Sequence, residues 1–141
     1  MSANDPEFHY TLRVRYSEID AQAVVFNAHY LTYFDTALNE YMRFLKYDYK
    51  GELEKNGLDF VVTRSLIEYK SPARFDEELK VYVKAGEIKP ASILWNIQVR
   101  KVLDDTLVCN GELTWAFLLL ESRKPAKLPE VFKNLGSKTL S

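Results

Sequence analysis

The spacing of apolar residues changes from helical to strand-like after the first third of the chain. Within residues 28–46, apolar side chains recur three or four positions apart, and this spacing predicts a helix. Its members are Leu31, Phe34, Leu38, Tyr41 and Leu45. A second apolar set lies on neighbouring faces and comprises Tyr30, Tyr33, Ala37 and Phe44. A helix that is apolar over so much of its circumference is predicted to be mostly buried.

Several other segments alternate polar and apolar residues, which is the period of a strand. The predicted strands cover residues 10–16, 58–69, 78–88, 92–103 and 106–121. Asp104–Asp105 is a turn signal, and connections of hairpin length require antiparallel pairing. Residues 46–59 are polar and contain glycine, which predicts a connection that could include a short helical turn. Residues 131–138 predict a short terminal helix.

A single apolar helix beside one sheet predicts an α+β domain, in which an antiparallel sheet of about five strands curls around the helix. The 141 residues contain no repeat, low-complexity segment or linker. We therefore expect one domain over residues 1–141, with a flexible polar arm at residues 1–8. The last strand carries large apolar residues on both faces. One face would pack on the helix and the other on a second subunit, so we expect at least a homodimer.

Composition argues against several classes of function. The net charge is -1, which gives no electrostatic signature for nucleic acid, and no apolar run is long enough for membrane insertion. His9 and His29 lie far apart in sequence with no cysteine nearby, so we expect neither a metal site nor a cofactor. Cys109 is the one cysteine, which favours a reducing, cytoplasmic setting. We expect His29 and Cys109 to be structural, and we assign no role to His9 in the predicted arm.

A single carboxylate, Asp20, precedes the long predicted helix. The commonest role of Asp near a helix start is to cap it, which contributes about 1 kcal/mol. A cap lies directly before the first helical turn, whereas the apolar residues Ala23 to Phe26 separate Asp20 from this helix. The pattern alone leaves capping and catalysis both open.

Three segments, in the same order along the chain, resemble the 4-hydroxybenzoyl-CoA thioesterase family of hotdog-fold acyl-CoA thioesterases. The first is RVRYSEIDAQAVVFNAHYLTYFDTALNEYM, which supplies Tyr16, Glu18, Asp20 and Asn27 to the family signature. The second is YKSPARFDEELKV, and the third is ESRKPAKLPE. The resemblance covers nearly the whole chain. It implies a hotdog fold, with a sheet wrapped around one central helix, and hydrolysis of an acyl-CoA thioester to a free carboxylic acid and CoA.

The same resemblance implies roles for particular residues. In this family the residue at the position of Asp20 is the catalytic carboxylate, acting either as a nucleophile or as the base that activates a water. The helix N-terminus is implied to point at the thioester carbonyl. Free backbone N–H groups around Phe26 to Ala28 would then hold the oxyanion, helped by the helix dipole. Tyr16 matches a residue with a supporting catalytic role, and packing on the core is its alternative.

Two positions depart from the family pattern. Ala23 stands where the family usually has Gly, which permits unusual backbone angles. Asn27 stands where some relatives have His; Asn cannot transfer a proton at neutral pH, but it can orient a water or donate to an oxyanion. Asn27 therefore stays a catalytic candidate. These departures motivate an alternative function, a non-catalytic module that binds acyl thioesters, and a further alternative is a thioesterase acting on acyl carrier protein.

Other residues are candidates for substrate contacts. Tyr30 could shape the acyl pocket, and Ser92 falls near family positions that approach the thioester or pantetheine. Arg and Lys suit the phosphates of CoA. The candidates in the two later segments are Arg74, Arg123, Lys124 and Lys127. Because hotdog enzymes commonly bind CoA between subunits, these residues are expected to serve the partner's Asp20 in a homodimer or homotetramer.

Overall fold

The computed structural model describes residues 8–140, and the side chains among them as far as residue 135. This part of the chain alternates strands and helices. The strands are β1 (Phe8–Arg13), β2 (Leu58–Tyr69), β3 (Glu78–Lys89), β4 (Ser92–Lys101) and β5 (Leu107–Leu119). The α-helices are α1 (His29–Phe44), α2 (Tyr49–Asn56) and α3 (Glu130–Leu140), and a 3₁₀ turn covers Tyr16–Glu18.

The strands form one antiparallel sheet in the order β1-β3-β4-β5-β2. Strands β3, β4 and β5 pair in sequence as a meander, because hairpin-length loops join them. Strand β1 adds beside β3, and β2 adds beside β5, so these two strands form the edges. Helix α1 packs its apolar residues together with those of the sheet in one core. This confirms the predicted α+β hotdog architecture.

Helix α1 reaches β5 through the side chain of Phe34. The ring of Phe34 lies over Gly111, where any added Cβ would overlap it, so this glycine lets the helix approach. The prediction of burial on nearly every face is wrong for Leu31 and Phe44, which are exposed. The buried residues of the helix are Tyr30, Tyr33, Phe34, Ala37, Leu38, Tyr41 and Met42.

The N-terminal strand begins earlier than predicted. The arm predicted at residues 1–8 lies outside the described residues, except for Phe8, which begins β1. The Phe8 ring packs on Tyr41, with 4.8 Å between ring centroids. His9, which the sequence placed in the arm, pairs with Tyr82 across β1 and β3. The strand ends at Arg13, so predicted strand residues up to Tyr16 belong to a loop and the 3₁₀ turn.

Helix α2 replaces the predicted polar connection. Asp48 caps it by accepting the Gly51 N–H at 3.0 Å, and Gly57 ends it in the left-handed conformation at φ +63°. Its side chains are only partly buried, so no apolar spacing marked it in the sequence. No helix among residues 8–140 is long and apolar enough to cross a membrane.

The candidate residues lie at two opposite ends of the sheet. At the Asp20 end, strands β1, β2 and β4 finish while β3 and β5 begin, and helix α1 starts there. At the Ser92 end, the turn between β3 and β4 lies beside the end of β5. Strand β3 joins the two ends, and at about 3.3 Å per residue it separates them by on the order of 35 Å.

Candidate active site

Asp20 lies in a short hairpin before α1, the Asp20 hairpin (residues 19–25). Ile19 and Val25 form an antiparallel bridge, and the Asp20 N–H donates to the Val24 carbonyl at 2.9 Å. The Ala23 N–H donates to the Asp20 carbonyl at 2.9 Å, and Ala23 has φ +62°. A turn followed by a left-handed residue is a common geometry for a three-residue hairpin loop. Asp is favoured at the first position of such a turn, which explains its place here.

The Asp20 carboxylate supports this hairpin with one oxygen. Its Oδ1 accepts the Gln22 N–H at 2.8 Å, as in an Asx turn. Within residues 8–140, Oδ2 has no hydrogen-bond or ion-pair partner. Helix α1 has Ala28 as its N-cap and no capping side chain, so the helix-capping interpretation of Asp20 is wrong. The arrangement fixes the carboxylate through the turn and leaves one oxygen available for chemistry.

The positive φ of Ala23 gives a structural reason for the family's usual glycine. A left-handed backbone costs an L-residue about 1–2 kcal/mol, whereas Gly adopts it without this cost. The hairpin of this chain forms its hydrogen bonds with Ala at that position, so the loop carries this backbone strain.

Two backbone N–H groups lead into α1 without an acceptor among the described residues, those of Asn27 and Ala28. Phe26 differs, because its N–H donates to the Glu18 carbonyl at 2.9 Å. The prediction that Phe26 also supplies a free N–H is therefore wrong, although its half-exposed ring stays beside the helix start, 6.0 Å from that of His29. The N-terminus of a helix carries partial positive charge, so the free pair can bind an anion or oxyanion.

A cleft of about 270 Å³ opens beside this helix start. The Val25 N–H donates to the Ala73 carbonyl at 2.8 Å, and this bond brings the segment after β2 alongside the Asp20 hairpin. Apolar, amide and cationic side chains therefore meet in one concave site. The cleft is lined by Val25, Asn27, Tyr30, Tyr69, Lys70, Ser71 and Pro72.

Two tyrosines form one wall of the cleft. The Tyr69 hydroxyl donates to the Asn27 carbonyl at 3.2 Å, and its ring lies 5.7 Å from that of Tyr30. Burial, and then the neighbouring Cys109, raise the pKa of the Tyr30 phenol, so it stays protonated at neutral pH. Tyr30 therefore lines the cleft, and its predicted role in shaping the acyl pocket stays a prediction.

Three cleft residues, Tyr69, Lys70 and Ser71, were missed at the sequence level. All three belong to YKSPARFDEELKV, the second segment that resembles the family. That segment follows β2, and a pattern match does not tell which of its side chains turn towards α1. The hydrogen bond from Tyr69 to Asn27 is a contact between residues 42 positions apart, so only the fold brings them together.

Arg74 and Tyr16 lie at the Asp20 end but are exposed. Arg74 follows the Ala73 carbonyl that binds the Asp20 hairpin, and its side chain has no ion-pair partner in the described part of the chain. Tyr16 is 74% exposed and touches Phe75, with ring centroids 5.8 Å apart. Its alternative role in core packing is therefore wrong, and its predicted catalytic role stays a prediction.

Ser92, Arg123 and Lys124 lie at the opposite end of the sheet. Ser92 pairs with Lys89 and Ala116. Arg123 and Lys124 lie in the turn after β5, where the Leu119 N–H donates to the Lys124 carbonyl at 2.9 Å. Within one chain these three residues therefore do not join the cleft beside α1.

Glu18 is a buried carboxylate that the sequence marked only as part of the signature. Its side chain accepts the Arg15 N–H at 2.8 Å, the Arg15 guanidinium at 3.0 and 3.1 Å, and the Tyr33 hydroxyl at 2.8 Å. Burial alone raises the pKa of Glu18, but the bonds from the Arg15 backbone, Tyr33 and the Arg15 side chain outweigh it and lower the pKa below the ordinary 4.5. Glu18 is therefore ionised at neutral pH.

The remaining candidates have structural surroundings. Cys109 is fully buried in β5, and burial raises the pKa of its thiol to about 12, so it is not a nucleophile at neutral pH. His29 is half-buried at the start of α1. Among the described residues, His, Cys, Asp and Glu side chains do not gather in groups of three or more that could hold a metal ion.

Known proteins resemble this chain over most of its length. A family model described as the thioesterase-like superfamily matches residues 14–135. The acyl-CoA thioesterase YbgC of Haemophilus influenzae is 33% identical over 129 residues, which are 92% of this chain and 93% of that protein.

Two solved structures share the fold at lower identity. A 1,4-dihydroxy-2-naphthoyl-CoA thioesterase from Synechocystis has a TM-score of 0.87 at 15% identity, covering 96% of this chain and 99% of its own. A Staphylococcus aureus protein solved in complex with CoA has a TM-score of 0.85 at 18% identity, covering 96% of this chain and 84% of its own.

Proposed function

The chain belongs to the thioesterase-like superfamily, and on that premise we propose that it hydrolyses an acyl-CoA thioester to a free carboxylic acid and CoA. The observation that carries the proposal is the free oxygen of Asp20 together with the unpaired N–H groups of Asn27 and Ala28. A carboxylate and a pair of oxyanion donors are the groups that hydrolysis of a thioester requires.

The chemistry follows from these groups. Asp20 attacks the thioester carbonyl carbon, or takes a proton from a water that attacks it. The carbonyl oxygen becomes an oxyanion, and the N–H groups of Asn27 and Ala28 bind it at the positive end of α1. The carbon–sulfur bond then breaks, and the CoA thiolate leaves and takes up a proton. In the nucleophilic route, water hydrolyses the acyl–Asp20 anhydride in a second step.

The choice of CoA as the carrier is supported by the comparisons. The relative that is 33% identical is named an acyl-CoA thioesterase, and one structural neighbour was solved with CoA. Arg74 offers an unpaired cation beside the Asp20 hairpin. Guanidinium groups suit phosphate, so Arg74 is the candidate within the same chain for the phosphates of CoA.

A homo-oligomer built on β2 completes the proposal. Strand β2 pairs with β5 on one side, and its other edge has no partner strand within residues 8–140. Exposed apolar side chains lie along it, including Val62 and Leu66, and proteins usually cover such an edge. A two-fold axis pairs equivalent strands antiparallel, so the Ser92 end of one copy would lie beside the Asp20 end of the other. Ser92, Arg123 and Lys124 would then serve the neighbouring cleft.

The oligomer has its own test. Light scattering of the wild type should give the mass of a dimer or tetramer. Replacing Val62 and Leu66 together by Lys should reduce that mass, because charge on the exposed edge opposes strand pairing. A monomeric wild type would contradict this part of the proposal and leave the Asp20 chemistry to be tested separately.

The first experiment measures thiol release from short, medium, long and aromatic acyl-CoAs with the wild type and Asp20→Asn. We expect kcat to fall by about 10²- to 10⁴-fold in the variant, the usual contribution of a positioned base.

Asp35→Asn is the matched control, because Asp35 is exposed on α1 and has no hydrogen-bond or ion-pair partner in the described part of the chain. Turnover that survives Asp20→Asn would contradict the mechanism. If the wild type binds these esters without hydrolysing any, the chain is a binding module, and hydrolysis only of acyl groups on acyl carrier protein would change the carrier.

A further inference from the structure

Glu18 is 6% exposed, and it is the one charged residue buried among the described residues. Burying a charge is costly unless every lone pair finds a donor, and here the donors come from Arg15 and Tyr33. Replacing a buried charged group and its partners by apolar residues is often neutral or stabilising, so stability alone is a weak reason for such a site. A satisfied buried network does, however, hold its members in one geometry.

The contacts of Glu18 reach both halves of the candidate active site. It lies two residues before Asp20, and its backbone carbonyl accepts the N–H of Phe26, the residue directly before Asn27. Its carboxylate accepts the hydroxyl of Tyr33, one turn into α1. One residue therefore joins the base of the Asp20 hairpin, the chain that leads to the free N–H groups, and the helix that orients them.

We propose that Glu18 is a positioning residue, which through Tyr33 and Phe26 fixes the Asp20 hairpin relative to the N–H groups of Asn27 and Ala28. This inference rests on the proposed function. Hydrolysis requires the carboxylate and the oxyanion donors to flank one carbonyl, and small displacements of either reduce the rate steeply. Substrate binding does not need the same alignment, so loss of the bond should lower kcat more than it changes KM.

The sharpest test removes one hydroxyl. Tyr33→Phe keeps the buried ring and deletes the bond to Glu18. Tyr47→Phe is the matched control, because the Tyr47 hydroxyl is also buried and has no hydrogen-bond partner in the described part of the chain. We expect Tyr33→Phe to lower kcat by about 10- to 100-fold with KM unchanged, and Tyr47→Phe to leave both unchanged.

A second readout does not depend on activity. The Phe26 N–H donates to the Glu18 carbonyl, so we expect its amide to be protected from hydrogen exchange. It should exchange faster in Tyr33→Phe but not in Tyr47→Phe. Glu18→Gln should likewise lower kcat and speed the exchange of the Phe26 amide. In the double variant of Glu18→Gln and Tyr33→Phe, the loss of catalytic free energy should be smaller than the sum of the two single losses, because both substitutions disrupt the same hydrogen bond.

The outcomes separate this inference from the proposed function. Unchanged kcat in Tyr33→Phe, or a loss only in proportion to its unfolded fraction, would overturn the positioning role. Unchanged exchange at Phe26 would overturn it as well. If the wild type hydrolyses no acyl-CoA, the proposed function fails, whereas the exchange of Phe26 still decides whether the bond between Glu18 and Tyr33 holds the hairpin to α1.

Discussion

The Asp20 end and the aromatic core differ in whether their buried polar groups have hydrogen-bond partners. In the core, rings pack closely around Trp95, and Phe60 stacks on Trp115 with centroids 3.8 Å apart. Two polar atoms there, the Tyr47 hydroxyl and Trp95 Nε1, are buried without a hydrogen-bond partner among the described residues. At the Asp20 end, the buried Glu18 carboxylate is bonded to Arg15 and Tyr33.

The unpaired groups at the Asp20 end lie elsewhere, in front of α1. Asn27 and Ala28 are exposed, so their N–H groups can bind water or a ligand. An unpaired polar atom in the core only lowers stability, whereas an unpaired donor at an open helix start can bind an anion. The comparison separates a region that stabilises the fold by apolar area from a region arranged for chemistry. Variants in the core should therefore change stability and leave kcat unchanged, whereas variants at the Asp20 end can change both.

The largest expected effect on stability comes from the aromatic core. Phe132 is fully buried between the rings of Tyr47, Trp95 and Phe117, so Phe132→Ala should cost about 3–5 kcal/mol of unfolding free energy. Urea denaturation measures this loss. At temperatures where the variant stays folded, its kcat should match the wild type. A specific loss of kcat would show that the two regions are coupled, and it would contradict the separation of stability from chemistry.

The next effect is the acid sensitivity of the Asp20 end. The folded pKa of Glu18 lies below its ordinary 4.5, so its ionisation contributes stability above about that pH and the contribution is lost as pH falls through the lower folded value. Glu18→Gln should be less stable than the wild type at neutral pH, and the difference should shrink in acid. Denaturation at several pH values measures it. The difference between wild type and Tyr47→Phe should stay constant over the same range, since a phenol does not titrate there.

A smaller effect is expected at the strained turn. Ala23→Gly removes the left-handed strain at φ +62° and should stabilise the fold by up to about 1 kcal/mol, after the added flexibility of the unfolded chain is subtracted. Ala21→Gly is the control, because Ala21 does not have a positive φ, and it should lose about 0.4–1 kcal/mol. Thermal unfolding compares the two variants. Destabilisation by both would mean that the turn is not strained.

The smallest effect concerns the wall of the cleft. Tyr69→Phe removes the 3.2 Å hydrogen bond to the Asn27 carbonyl while keeping the ring against Tyr30. A single hydrogen bond contributes about 0.5–1.5 kcal/mol to stability, so the unfolding free energy should fall by no more than this. We expect kcat to fall by a few-fold, because the carbonyl of Asn27 loses the bond that holds it. Steady-state kinetics on the preferred acyl-CoA measures it. A loss as large as that of Asp20→Asn would indicate that Tyr69 contacts the substrate directly.

Most of the fold could be predicted from the sequence, because the informative segments bury one face. Strand β2 has the predicted bounds, although its burial does not alternate along the strand. Strands β3 and β4 begin where the alternation placed them, because each buries one face and exposes the other. Helix α2 was missed because its stability comes from the Asp48 cap and the Gly57 terminus rather than from a buried stripe. The early start of β1 at Phe8 could have been predicted, because Phe8, Tyr10 and Leu12 continue the same alternation.

The candidate site could be predicted only in part. The signature singled out Asp20 and Asn27, which are short-range features of one segment. The segment alone could not show that the Phe26 N–H donates to the Glu18 carbonyl. Nor could it show that the Asp20 carboxylate supports a turn instead of capping a helix. Both features depend on how the hairpin closes. Ser92, Arg123 and Lys124 resembled family positions, but a single chain separates them from Asp20 by the length of the sheet.

The sequence by itself determined the α+β class, the strand and helix order, and the segment that carries the chemistry, because these follow from periodicity and from local motifs. Only the tertiary structure decided which donors are free, which carboxylate is buried, and which side chains of the segment after β2 face the helix. The reason is that hydrogen bonds such as those from Tyr33 to Glu18 and from Tyr69 to Asn27 join residues 15 and 42 positions apart. Their existence depends on the packing of α1 against the sheet, which no local pattern encodes.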